Sequence, residues 1–173
     1  DHFKEAINWF MQSDYETAII DTADSFEQRI LTPKILAEDG QGKTSLADFT
    51  YARGYELLAA NWTLALRTFE KIKRSGKNVI LTCHEAIQRF EDPTSDSYDR
   101  FVPNIHKKSL SLVMALMDFV FFVKRETHVK DRESHFGKSS GRGISTGRGL
   151  TNTVETASCL AKNRYNLDPV VEW

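Results

Sequence analysis

Two apolar runs in this chain end on side chains that can do chemistry. Thr17-Ala18-Ile19-Ile20 closes on Asp21, and Asn78-Val79-Ile80-Leu81-Thr82 leads into Cys83-His84-Glu85. Short apolar runs without alternation have the form of strands buried on both faces in a parallel sheet. A carboxylate at the C-terminal end of such a strand stands where it can hold Mg²⁺ or the water bound to it. An imidazole ending the neighbouring strand shares that edge, where open parallel sheets bind ligands. Apolar runs ending in aspartate are common, and a lone histidine is usually structural, so each signal gains its weight from the other.

A third segment imitates a phosphate loop. Ala37-Glu38-Asp39-Gly40-Gln41-Gly42-Lys43-Thr44 fits a relaxed pattern with alanine in the first glycine position. That chemistry requires a buried strand before the loop, so that backbone N–H groups and a following helix dipole converge on the phosphates. Here the preceding residues read as a helix end, and the metal aspartate comes earlier in the chain. The segment is therefore expected to be a decoy.

Cations form the other set. Between Gly137 and Gly149 there are five glycines and four serines or threonines, with Lys138, Arg142 and Arg148 and no acid. Composition alone reads as a flexible linker, whereas the charge suits a loop that orders on a phosphodiester chain. Lys162 and Arg164 could pair with acids or reach an anion across a subunit boundary. Arg89, Arg100 and the Lys107-Lys108 pair are further candidates for phosphate contact.

The elements that must position these groups follow from periodicity. Phe3, Ile7 and Phe10 mark an amphipathic helix that Ser13-Asp14 ends. After Asp21, Asp24 or Ser25 starts a helix running toward Leu36, with Pro33 as its weak point. Leu58, Trp62, Ala65, Leu66, Phe69 and Ile72 predict a helix over Tyr55–Lys73, stopped at Ser75-Gly76. The second apolar run follows directly, which gives the strand, helix, strand order of a parallel sheet. Arg89–Pro103 is acidic and turn-rich and reads as a long surface loop. Lys107–Met117 reads as a helix, Phe119–Val123 as a strand and Thr156–Ala161 as the final strand, and no internal repeat is visible.

The chain has 173 residues, 40% of them hydrophobic and 27% charged, which is the range of one ordinary folded domain rather than a disordered chain. With 23 basic and 24 acidic residues, any anion site must be local rather than a uniformly basic coat. Cys83 and Cys159 have no partner spacing, which argues against a disulfide framework or zinc module and for a reducing, cytoplasmic setting. The longest apolar stretch, Phe119–Val123, is far short of the roughly 20 residues that span a bilayer, and no signal peptide opens the chain. No membrane role is expected. The opening Asp1-His2-Phe3, without an initiator methionine, reads as a fragment or a processed product.

Taken together, Thr17–Asp24, Gly76–His84, Arg89–Arg100 and Ala161–Tyr165 occur in an order that resembles the phage-type RecA-like, AAA-domain ATPases of single-strand annealing and recombination. The resemblance covers nearly the whole chain. It implies an α/β fold, a RecA-like P-loop NTPase core with a mainly parallel sheet flanked by helices. It also implies ATP and Mg²⁺ as cofactors, with Asp21 as the Walker B aspartate on the metal and Thr22 beside it. His84 would be the polar sensor of the γ-phosphate. Lys162-Asn163-Arg164-Tyr165 is similar to the Lys-Asn-Arg-aromatic motif of RadA-type recombination ATPases, which implies that Lys162, and Arg164 with it, serve the adjoining subunit's nucleotide.

A homo-oligomeric ring or filament acting on single-stranded DNA in the cytoplasm of a bacterial host follows from the same resemblance. The segments Arg89–Arg100 and Gly137–Gly149 occupy the places of DNA-contacting loops. Members of that group carry their phosphate loop and catalytic glutamate upstream of the Walker B strand, whereas this chain starts only twenty residues before Asp21. The expectation is thus an N-terminally incomplete core, a single domain over 1–173, with ATPase activity in an intact protein and none in these residues alone. The alternative is a non-catalytic DNA-binding or assembly module that has lost the nucleotide grip.

Overall fold

The computed structural model describes residues 2–94, 96–132 and 140–173, with the backbone alone at 129–132 and 140–143. The chain divides into two compact units, one of Asp1–Ala86 with Val102–Met117 and one of Ile87–Phe101 with Asp118–Trp173.

The first unit is built on helices around one parallel strand pair. Helix α1 (His2–Gln12) places Phe3, Ile7 and Phe10 inward, as their spacing predicts. Strand β1 (Thr17–Ile20) pairs in parallel with β2 (Asn78–Leu81), in the register Thr17 to Asn78 through Ile20 to Leu81. Between them run α2 (Ala23–Phe26), a π-helical turn (Glu27–Leu31), α3 (Thr32–Asp39) and the long α4 (Arg53–Arg74). Every apolar residue that predicted α4's inward face, Leu58, Trp62, Ala65, Leu66, Phe69 and Ile72, is buried. Helix α5 (Lys107–Leu116) packs Val113 into the same core.

Local chemistry explains the path from β1 into α2. The cap is Thr22, whose Oγ1 accepts the Ser25 N–H, so the helix begins before the expected Asp24 or Ser25 and Asp24 falls in its first turn. Pro33 marks the weak point, as expected, in a specific way. Proline donates no N–H, and the turn before it is wound as a π-helix, with Thr32 N–H reaching back to the Glu27 carbonyl.

One expectation fails here for a structural reason. β1 and β2 are not buried on both faces: Ala18, Ile20, Val79 and Leu81 pack against the core, while Ile19 is 63% and Ile80 48% exposed. Burial of both faces needs elements on both sides. Among the described residues, packing covers one side of a two-stranded sheet.

The second unit is mostly antiparallel. β5 (Phe119–Val120) pairs antiparallel with β8 (Lys162–Asn163), and β6 (Phe122–Arg132) with β7 (Ser140–Asn152), which in turn pairs with β9 (Val170–Glu172). β3 (Glu85–Phe90) pairs with β4 (Tyr98–Pro103). Among the described residues the mainly parallel sheet expected from the sequence is not seen, and the parallel ladder there is the β1–β2 pair.

Three further readings are corrected. Arg89–Pro103 is not one long loop, because β3 ends and β4 begins within it. The strand expected over Phe119–Val123 is broken at Phe121, and that expected over Thr156–Ala161 is an isolated bridge between Thr156 and Cys159, with β8 starting at Lys162. From Ser140 onward the glycine-rich stretch is strand β7, neither the loop expected to order on DNA nor a flexible linker. A bulge shapes it: Arg125 faces Gly149 and Thr127 faces Ser145, so β7 spans four residues where β6 spans two. Gly147, at φ +83°, supplies the left-handed backbone this bulge needs. At Gly149 the Trp173 ring lies where a Cβ would stand, so a side chain there would displace it.

Candidate functional site

Because β1 and β2 are parallel and in register, the residues that follow them emerge on one edge. Asp21 follows β1 directly, and Thr82, Cys83 and His84 follow β2. The ladder continues into this edge, with Thr82 N–H donating to the Ile20 carbonyl at 3.1 Å and Ala23 N–H to the Thr82 carbonyl at 2.7 Å. The two candidate groups expected to share a sheet edge thus stand on the same one.

The side chains are cross-tied between the two strand ends. Thr82 Oγ1 donates to Asp21 Oδ1 at 2.6 Å, which fixes the rotamer of a carboxylate that remains exposed. His84 is tied in the opposite direction, to Asp24 on α2. Asp24 Oδ2 accepts from His84 Nδ1 at 2.9 Å, and its Oδ1 accepts the His84 backbone N–H at 3.3 Å. The Asp24 side chain is 9% exposed and that of His84 69%.

Electrostatics follow from this geometry. Burial pushes the Asp24 carboxyl up, but hydrogen bonds from Thr22 and from the His84 ring and backbone outweigh it and hold the group down to about 2. The same ring contact, then the charges of Asp24, Glu85 and Asp21, raise His84 above the ordinary imidazole range. Burial pushes the Cys83 thiol up to about 11, so it stays protonated at neutral pH. A groove of about 720 Å³ runs along β1 from Thr17 to Thr22, walled by Phe3, Ile7 and Phe10 of α1 and by Phe26 and Arg29. Asp21 and Thr22 contribute polar atoms to it.

The edge fits part of a Mg²⁺-nucleotide site. Asp21 is an exposed carboxylate held by one oxygen, suited to a metal-bound water, and Thr22 caps α2 next to it. Among the described residues no cluster of three His, Cys, Asp or Glu side chains could cage a metal alone, so Mg²⁺ would depend on phosphate oxygens and water. A triphosphate cradle is not found among them. The Gly40–Thr44 segment follows helix α3, not a strand, and Lys43 Nζ is spent on the Gly40 carbonyl and the face of Phe49. The decoy reading fits this geometry.

The remaining candidates stand on other elements, each in its own surroundings. Lys162 lies in β8, opposite Val120, and Arg164 pairs with Asp118 at 3.1 Å. Arg100 contacts Glu155 and lies 3.9 Å over the Phe90 ring, while Arg89 pairs with Asp99 at 3.8 Å. Lys107 is exposed on the first turn of α5, and Lys108 meets Glu56 at 3.4 Å. Lys138 lies outside the described residues, and of Arg142 only its backbone place in β7, opposite Lys130, is described. Arg148 corrects the picture of an acid-free cluster: its guanidinium meets Glu126 at 2.8 Å and Glu172 at 3.5 Å. The acid was absent from the stretch in sequence but is supplied across the bulge.

Sequence reasoning missed Thr82 and Asp24 as site residues. The only available signal was position: each lies within three residues of a candidate, on a strand end or helix start where a side chain can bridge.

Comparison with known proteins adds one finding. No curated protein and no solved structure matches the chain. A family model described as AAA domain matches residues 1–165, nearly all of the sequence. With that match over nearly the whole chain, the protein belongs to the AAA domain family of P-loop-type ATPases.

Proposed function

We propose that this chain carries the metal-and-sensor half of an ATP site in a protein that binds, anneals or recombines single-stranded DNA. The observation that carries the proposal is the cross-tied edge, Asp21 with Thr82 and His84 with Asp24, in an AAA-domain chain. When bound, Mg²⁺ would neutralise charge on the β- and γ-phosphates. Asp21 would orient the metal through its water, Thr22 would line the site, and His84 would meet the terminal phosphate. Lys162 and Arg164 would come from a neighbouring copy, which makes the working form a ring or filament. DNA would be held by Arg89, Arg100, Lys107, Lys108, Lys138, Arg142 and Arg148, with the ion-paired members contributing least.

The engagement of Lys43 with the Gly40 carbonyl and the Phe49 ring favours a second reading, a DNA-binding or assembly module that does not turn over ATP. Annealing of complementary single strands with and without Mg²⁺-ATP separates the two. ATP stimulation that Asp21→Ala abolishes supports the first reading. Annealing at the same rate in wild type and variant, whatever the nucleotide, supports the second.

A further inference from the structure

We infer that Asp24 is the positioning residue of His84: it clamps the residue at backbone and ring, fixes the proton on Nδ1 and presents Nε2 outward as the ligand-facing nitrogen. The inference rests on the nucleotide reading only for the identity of what Nε2 meets.

Three observations carry it. Both oxygens of one carboxylate are used on one residue, the ring nitrogen at 2.9 Å and the backbone N–H at 3.3 Å. Such a two-point clamp sets both where the ring stands and how it is turned. The clamp itself is rooted, because Asp24 is 6% exposed, on the first turn of a helix whose cap is Thr22 and whose Ala23 N–H bonds Thr82. The ring, by contrast, is open to solvent on the edge beside Asp21. A buried acid holding an exposed base is the arrangement by which a histidine is oriented toward something outside the protein.

The tautomer follows from chemistry. An ionised carboxylate only accepts hydrogen bonds, so the proton between the two groups belongs to Nδ1. Neutral His84 therefore offers a lone pair at Nε2. On protonation the second N–H appears at Nε2, where it can donate to an anionic oxygen. The charged groups facing the ring are Asp24 from α2, Asp21 from the end of β1 and Glu85 from β3, all of them acids, and the neighbouring Cys83 stays a thiol.

Nitrogen-15 spectra of the imidazole side chains decide the matter, with His84 assigned by loss of its signals in His84→Gln. In the wild-type chain at a pH where the ring is neutral, the Nδ1-protonated tautomer should dominate. In Asp24→Asn it should give way to the Nε2-protonated form that free imidazole side chains prefer. A wild-type ring already in the Nε2-protonated form overturns the inference without any variant, so a poorly folded Asp24→Asn does not shelter it. An unchanged tautomer in a folded Asp24→Asn overturns it as well. Titration with Mg²⁺-ATP then tests the nucleotide reading separately. A shift at Nε2 supports both, whereas an intact Nδ1–H tautomer with no response leaves Asp24's role supported and counts against ATP as the ligand.

Discussion

Glu27 offers the sharpest test of how the fold holds the site. It starts the π-helical turn that follows α2 and is 8% exposed. Its Oε2 accepts the indole N–H of Trp62, itself fully buried, at 2.7 Å, and its Oε1 accepts the His106 backbone N–H at 2.9 Å. One carboxylate thus joins the turn after Asp24, the centre of α4 and the start of α5. Glu27→Gln keeps the volume but offers one acceptor to two donors, so one buried N–H loses its partner and faces an amide NH₂. An orphaned N–H costs about 1–3 kcal/mol, and the surviving bond, no longer to a carboxylate, weakens by about 1 kcal/mol. The expected loss is about 2–4 kcal/mol in urea unfolding followed by far-ultraviolet circular dichroism. Trp62→Phe removes one of the two donors, so the double variant should be less destabilised than the sum of the singles by about 1–2 kcal/mol. A loss under about 1 kcal/mol, or strict additivity, would refute this account of the buried network.

The other predictions concern charge. His84 is raised by its contact with Asp24, so its stabilising effect is complete below the ordinary 6.5 and fades as pH rises through the raised value; the deficit of His84→Gln should be larger near pH 5.5 than near pH 9. Asp24 is held at about 2 against 3.8, so its contribution is present above 3.8 and lost as pH falls through about 2; acid unfolding of wild type and Asp24→Asn should converge there. Cys83, at about 11 against 9.0, should react with a thiol reagent at pH 8 roughly 100-fold more slowly in the folded than in the urea-unfolded chain. Replacing Lys138, Arg142 and Arg148 by alanine should flatten the salt dependence of single-strand binding by at most about 2 in log–log slope, at roughly 0.7 per phosphate contact. The ion pair of Arg148 with Glu126 should hold its own share well below 0.7, measurable in the single variant, and a full-sized loss from Arg148 alone would contradict that pairing.

What was legible in the sequence was whatever one element decides by itself. The helical periodicity of Leu58 through Ile72 fixes which face of α4 is inward because no partner is needed to read it. The positions of Asp21 and His84 on one edge followed from strand, helix, strand order. What was not legible depended on residues distant in sequence. Ile19 and Ile80 look as buried as Ile20 and Leu81 in a run without alternation, and only the packing partners separate them. β7 has the glycine content of a linker, yet its ladder with β6 and the bulge around Glu126 make it a strand, with Thr146 donating to that carboxylate at 2.7 Å. Asp24 read as a helix start because a capping aspartate and a histidine-orienting aspartate are the same residue type until the histidine's place is known.

In the function proposed above, a metal nucleotide meets this chain at the Asp21–His84 edge. Mn²⁺ in place of Mg²⁺, added with ATP to the nitrogen-15-labelled protein, tests this most directly, because its unpaired electrons broaden the signals of nearby amides. Broadening should centre on residues 21–25 and 82–85, require ATP and disappear in Asp21→Asn. Broadening centred instead on Gly40–Thr44, or an undisturbed Asp21–His84 edge at saturating Mn²⁺-ATP, would contradict it.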